Sequence, residues 1–261
     1  MAGRHGSAPM AVAAMSEPEE MQFKFNLPRL PAKAVRISVA EAERALLEKL
    51  ASTQDDPTQL MWQLAQLYKG VGQGEKATAI LRGLLKRVPG LEMRAQIVLA
   101  LGQTAETAKD YALAERFYRE ALSMEPMRTE VWYFIHNNLG YSLIQLGRHA
   151  DAERCCRSAI DIDPARGNAH KNLGLALEGQ GRFEDAARAY VAATQANAAD
   201  ARAYRRLEEL VGERPELGTL FARERRLCKV AVDYAAQERA KALAAWKERS
   251  KGEGGAPEAG G

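Results

Sequence analysis

The chain has 261 residues, 46% of them apolar and 27% charged, which is enough apolar material for a packed core and too much for a disordered chain. Its net charge of +3 does not call for a nucleic-acid partner, which needs positive charge concentrated on one face. No stretch approaches the roughly 20 apolar residues of a membrane span. The three cysteines, Cys155, Cys156 and Cys228, cannot make a disulfide framework, since the first two are adjacent and point about 100° apart on a helix.

In chain order, residues 1–36 mix glycine, serine, proline and charge without helical period, the composition of a disordered tail. Within it Met21, Phe23, Phe25 and Leu27 alternate, a pattern able to pair as a strand on a partner. The apolar run from Ala8 to Met15 is too short and alanine-rich for a secretory signal. With the free thiols, this places the chain in the cytoplasm. Ser38 followed by Glu41 forms a capping box, and Ala42, Leu46, Leu47 and Leu50 then make one apolar stripe, so a capping helix is expected over residues 37–53. Asp56 and Pro57 mark the next helix start.

From residue 58 the text repeats. Leu139-Gly140 recurs as Leu173-Gly174, Gly147 as Gly181, Ala152 as Ala186, Cys156 as Tyr190 and Ala159 as Ala193, each about 34 residues apart, the spacing of a helix-turn-helix unit. Four units follow, at 58–91, 95–128, 133–166 and 167–200. Gly140, Gly174, Ala152 and Ala186 are small where two helices must cross closely, while Leu139, Leu143, Leu173, Leu177 and Tyr190 fill the remaining space. Pro89, Pro126 and Pro164 stop each second helix, because proline lacks the amide hydrogen. The second unit has Lys109 where the others have Gly72, Gly147 and Gly181, and the fourth has Ala198 in place of proline. Extra residues around Arg128 to Trp132 predict a lengthened helix.

After the fourth unit, residues 201–249 read as a partial unit followed by a long capping helix. Tyr204, Leu207 and Val211 lie on the buried side of the first part, and Pro215 then interrupts. From Glu216 to about Arg249, Leu220, Phe221, Leu227, Val230 and Tyr234 predict a helix covering the last face of the stack. Residues 250–261 are expected to be a disordered tail.

The small residues, aromatics and prolines at these spacings resemble the tetratricopeptide repeat family, over more than half of the chain. The resemblance implies an all-α, right-handed superhelical α-solenoid whose first helices line a concave groove and expose positions 2, 5, 6, 9 and 12 of each unit. In the third unit these include Phe134, Asn137, Asn138, Tyr141 and Ile144. In the fourth they include Asn168, Lys171, Asn172, Leu175 and Glu178, and in the partial fifth Arg202, Arg205, Arg206 and Glu209. Asn138 and Asn172 both occupy position 6, similar to the asparagine ladder with which related proteins grip a peptide backbone, since an amide offers a donor and an acceptor. Asn172, Arg202 and Arg206 also match three of the five positions of the family's carboxylate clamp, which seizes the C-terminus of heat-shock chaperones. Asn137 and Tyr141 stand where that clamp has lysine and asparagine.

Nothing in the sequence assembles catalytic chemistry. Gly70, Gly72 and Gly74 lack the lysine directly after the last glycine that a phosphate loop needs, and fall at the turn between two helices. His136 and His170, one unit apart, read as packing residues, so no metal and no cofactor is expected. The expected function is that of a non-enzymatic adaptor or scaffold binding a peptide segment of a partner protein, acidic or carboxyl-terminated, through Phe134, Asn137, Asn138, Tyr141, Asn168, Lys171, Asn172, Arg202, Arg205 and Arg206. Two alternatives stay open: a chaperone-docking cofactor using the partial clamp, and a repeat subunit serving a separate catalytic partner such as a glycosyltransferase.

Overall fold

The computed structural model describes residues 38–252; the expected N-terminal tail, including the Met21 to Leu27 alternation, and residues 253–261 of the expected C-terminal tail lie outside them, whereas 250–252 belong to the last helix. Every regular element among the described residues is a helix. The chain divides into two compact units, one ending at Pro89 and one beginning at Gly90.

The first unit holds α1 (Val39–Ser52), α2 (Thr58–Gly70) and α3 (Gly74–Arg87). The Ser38 hydroxyl accepts from the Glu41 amide at 3.2 Å while the Glu41 carboxylate accepts from the Ser38 amide at 2.7 Å, so two orphan donors at the start of α1 are satisfied reciprocally. Ala42 and Leu46 of α1 join Leu64, Leu67 and Tyr68 of α2 and Ala77 of α3 in one core. Tyr68 keeps its hydroxyl at the edge of that core by donating to Glu43 at 2.7 Å. Gly70 ends α2 and Gly74 opens α3, so the three glycines form the turn between helices.

The second unit pairs α4 (Leu91–Thr107) with α5 (Tyr111–Leu122), α6 (Thr129–Gln145) with α7 (His149–Ile162), and α8 (Gly167–Glu178) with α9 (Phe183–Ala196). It ends in α10 (Arg202–Glu213), α11 (Pro215–Leu220) and α12 (Ala222–Gly252). Short turns fold each pair back on itself, and α6 touches both α4 and α8, which sets the first helices side by side. The additional residues are absorbed into the first helices, for α4 and α6 are each 17 residues long against 12 for α8.

Each pair crosses at one small residue. A Cβ added to Gly102 would sit 2.4 Å from the Tyr118 ring, at Gly140 2.7 Å from Cys156 Sγ, and at Gly174 2.4 Å from the Tyr190 ring. Those three partners are fully buried and have nowhere to retreat. The turn that follows each first helix needs a left-handed residue, supplied by Gly147 and Gly181 at φ +74°; in the second pair Lys109 adopts φ 62° instead.

On the second-helix side, ion pairs recur with the repeat. Arg148 donates to Asp151 and to Glu115 of the preceding second helix, at 3.0 and 2.8 Å; one unit on, Arg182 donates to Asp185 and to Glu153 at the same distances. Burial alone would raise the Glu153 pKa, but hydrogen bonds from Gln180, Arg157 and Arg182 outweigh it and bring the carboxyl down to about 2.

The C-terminal end departs from expectation. Instead of one helix from Glu216, the chain breaks at Phe221, whose ring turns into the core formed with Leu207, Leu210, Val211, Leu217 and Cys228. Arg225 is locked to Glu208 by two bonds of 2.8 and 2.7 Å, which fixes the inward side of α12. Leu227, Val230 and Tyr234, expected to cover the last face of the stack, are 57%, 63% and 64% exposed. They lie across the helix from Cys228 and Val232, which take the inward side.

Gly174→Ala is expected to destabilise by about 1–3 kcal/mol through overpacking against Tyr190, whereas Lys109→Gly should stabilise by about 0.5–1 kcal/mol by relieving a left-handed side chain. Urea denaturation measures both, and equal signs would contradict this register. Because the folded pKa of Glu153 is depressed, its contribution is present above the ordinary carboxylate value of about 4.3 and is lost as pH falls toward about 2. Melting temperatures across that window should fall less steeply for Glu153→Gln than for the wild type.

Candidate functional site

On the first-helix face of the second unit, five of the ten residues singled out in the sequence are hydrogen-bonded to one another, in two separate groups. Asn172 of α8 donates from Nδ2 to Asn137 Oδ1 of α6 at 3.1 Å, and Asn137 donates in turn to Asn138 Oδ1 at 2.9 Å. Close by, the Tyr118 hydroxyl donates to Glu106 at 2.9 Å. The three amides, from two repeats, thus form one directed chain in which each bond polarises the next, and the tyrosine–carboxylate pair of a third repeat makes a separate bond. Desolvation raises the pKa of Glu106, opposed by the Tyr118 hydrogen bond and by Lys171.

The tyrosine–carboxylate pair is itself repeated. Tyr190 donates to Glu178 at 2.7 Å across the same interval of 12 residues that separates Glu106 from Tyr118. In the third unit Ile144 and Cys156 occupy these places, so the tie is missing; in the fourth, Asn172 Oδ1 is buried without a partner. An unsatisfied buried acceptor is uncommon and costly. The sequence reading overlooked Glu106 and Tyr118 as parts of the site, although the spacing shared with Glu178 and Tyr190 was visible.

Lys171 lies beside Asn172, half-buried. Burial is the main cause lowering its pKa, with Arg202 adding repulsion and Asp200 opposing both. Its ammonium has neither an ion pair nor a hydrogen bond among the described residues. A cavity of about 10 Å³ bordered by Lys171, Asn168 and Asp200 has room for one water at most.

The cations of α10 differ in availability. Arg202 is exposed, chelated by Asp200 at 2.8 and 2.5 Å, and donates to Asn168 Oδ1 at 3.2 Å. Arg205 is exposed. Arg206 is already held by Glu178 and by Glu209, the latter at 2.7 Å, so it buttresses the wall more than it presents a cation. The three clamp-like positions are therefore not equivalent: the Asn172 amide and Arg206 are engaged internally. Tyr141 meets Tyr111 edge to face at 6.2 Å. Phe134 lies under the Arg166 guanidinium, 5.0 Å away, apart from the amide chain.

His136 stacks on Trp132 at 5.8 Å, and His170 Nε2 lies 2.9 Å from the Pro164 carbonyl. Among the described residues no group of His, Cys, Asp and Glu could hold a metal ion, and no helix is long and apolar enough to cross a membrane.

Sequence profiles described as tetratricopeptide repeat match residues 133–166 and, in a second form, 63–126 and 171–207, together just over half of the chain. The chain belongs to the tetratricopeptide repeat family. Membership supports a role as a protein-interaction scaffold, on a repeat fold that is in general non-catalytic. No curated protein matches it significantly. Among solved structures it is similar to BtubC (BKLC) from P. vanneervenii, with a TM-score of 0.59 at 19% identity over 85% of this chain and 94% of that one. It is also similar to MamA (41-end) from Desulfovibrio magneticus RS-1, with 0.53 at 16% over 72% and 98%. A third, YrrB, described as a TPR protein with an unusual peptide-binding site, gives 0.50 at 17% over 78% and 99%. At these identities the likenesses establish the all-α repeat solenoid.

Tyr118→Phe should destabilise by about 1–3 kcal/mol, because Glu106 loses its hydroxyl donor while half-buried. Tyr190→Phe should cost less, since Glu178 keeps the Arg206 guanidinium. Chemical denaturation of the two variants checks the order, and the reverse order would refute this account of the network.

Proposed function

We propose that the chain is an adaptor that holds a segment of a partner protein against the first helices of its second unit, with a carboxylate of that segment at Lys171. The observation carrying this reading is the half-buried Lys171 ammonium, which has neither ion pair nor hydrogen bond among the described residues and lies beside the exposed Asn168 and Arg202. An ammonium removed from water favours an anionic acceptor, and a peptide supplies a carboxylate. Arg202 and Arg205 extend the positive end of the face, Asn138 and Asn168 line it with amides while Asn137 and Asn172, expected to be exposed, lie buried behind them, and Tyr141 contributes an apolar edge. Phe134 supplies apolar contact at its far end, and Arg206 steadies the wall through Glu178. Acidic side chains and a free C-terminus are the two sources of carboxylate that fit.

Affinity capture with wild type and Lys171→Glu, read by mass spectrometry, identifies the partner. Calorimetry with the captured segment, its C-terminus free or amidated, then separates the two sources. Lys171→Glu is expected to weaken binding at least about tenfold, corresponding to roughly 1.4 kcal/mol, and added salt should weaken the wild type. Arg116→Glu, exposed on α5, is the control and should leave affinity unchanged. An authentic partner that binds Lys171→Glu and the wild type alike would remove this face from consideration.

A further inference from the structure

The solvent side of α12 carries a stripe that the rest of the second unit does not cover. Cys228 is buried, Val232 and Ala235 are half-buried, and Arg225 is tied to Glu208, so these define the inward face. At 3.6 residues per turn, Arg223, Leu227, Val230, Tyr234 and Glu238 fall on a different and nearly opposite face. Leu227, Val230 and Tyr234 are each more than half exposed. Large apolar side chains clustered on successive turns mark an association surface. The cluster is bounded by opposite charges. Arg223, one turn before Leu227, has no ion-pair partner among the described residues. Glu238, one turn after Tyr234, touches Lys241 at 2.9 Å in an exposed pair that is individually weak.

We infer that this face pairs with the same face of a second copy of the chain, antiparallel, about a two-fold axis passing between Val230 and Ala231. In a two-fold interface the same patch serves both copies, so each contact occurs twice. With the axis there, Leu227 lies opposite Tyr234 of the second copy, and Arg223 lies opposite Glu238. The apolar centre is then closed at each end by an ion pair. A parallel pairing sets Arg223 against Arg223 and Glu238 against Glu238, which like-charge repulsion disfavours. A partner of uniform charge meets one end of the stripe with repulsion. The stripe is thus complementary to itself in one direction, and this singles out the second copy as its occupant. The inference is independent of the peptide-binding reading, which rests on side chains of α4, α6, α8 and α10.

Sedimentation velocity on the full chain over a range of concentrations should show a dimer that dissociates on dilution. Val230→Glu should leave only monomer, with an unchanged circular-dichroism melt because the side chain faces solvent. Arg223→Glu and Glu238→Arg should each raise the dimer dissociation constant about threefold to tenfold, and the two together in one chain should restore it. A wild type that stays monomeric throughout overturns the inference, as does a dimer indifferent to Val230→Glu. A double variant no better than the single ones refutes the antiparallel register. Co-sedimentation of a monomeric wild type with phosphatidylserine vesicles, lost in Val230→Glu, would reassign the face to a lipid surface and likewise overturn the proposal.

Discussion

The structure depends on how closely two helices can approach at one point in each repeat. At Gly102, Gly140 and Gly174 the backbone of the first helix lies against Tyr118, Cys156 and Tyr190 of the second, with no space for a methyl group. That approach sets the crossing within a pair, and the pair in turn presents its first helix to the next unit. Since each unit packs mainly on its neighbours, stability accumulates along the stack, and a local error at a crossing is felt in adjacent units.

The same contact organises the polar chemistry. Bringing a tyrosine ring over glycine carries its hydroxyl to the far side of the first helix, where Glu106 or Glu178 accepts it. In this way the packing residue of one layer becomes part of the first-helix face. Where the third unit has Cys156, no hydroxyl arrives; separately, Asn172 Oδ1 in the fourth unit is buried with no hydrogen-bond partner. Buried polar networks left partly satisfied stand out against the rule that such groups find partners.

On the other side of the layers the recurring Arg148–Glu115 and Arg182–Glu153 pairs link successive second helices. The two sides therefore divide the work: glycine, alanine and tyrosine fix each pair, arginine and carboxylate tie pair to pair, and the first-helix face is left to carry amides and the less engaged cations.

Sequence alone determined the repeat, because small residues, turn glycines and prolines act through local backbone sterics that a fixed spacing records. The expectation that Asn138, Lys171, Asn172 and Arg202 share one face came from the family resemblance, because helical period settles only which side chains share a side within one helix. What sequence left undecided was which of these groups are already engaged: Arg206 is neutralised by Glu178 from the preceding unit and Glu209 from its own helix, and Asn172 by Asn137 across a helix interface. Likewise the apolar residues of α12 were readable, but their outward direction follows from the break at Phe221 and the Arg225–Glu208 tie, which rotate the helix. Hydrogen bonds and ion pairs between units join residues some 30 positions apart, and only the tertiary packing that brings them together decides which polar groups remain for a partner.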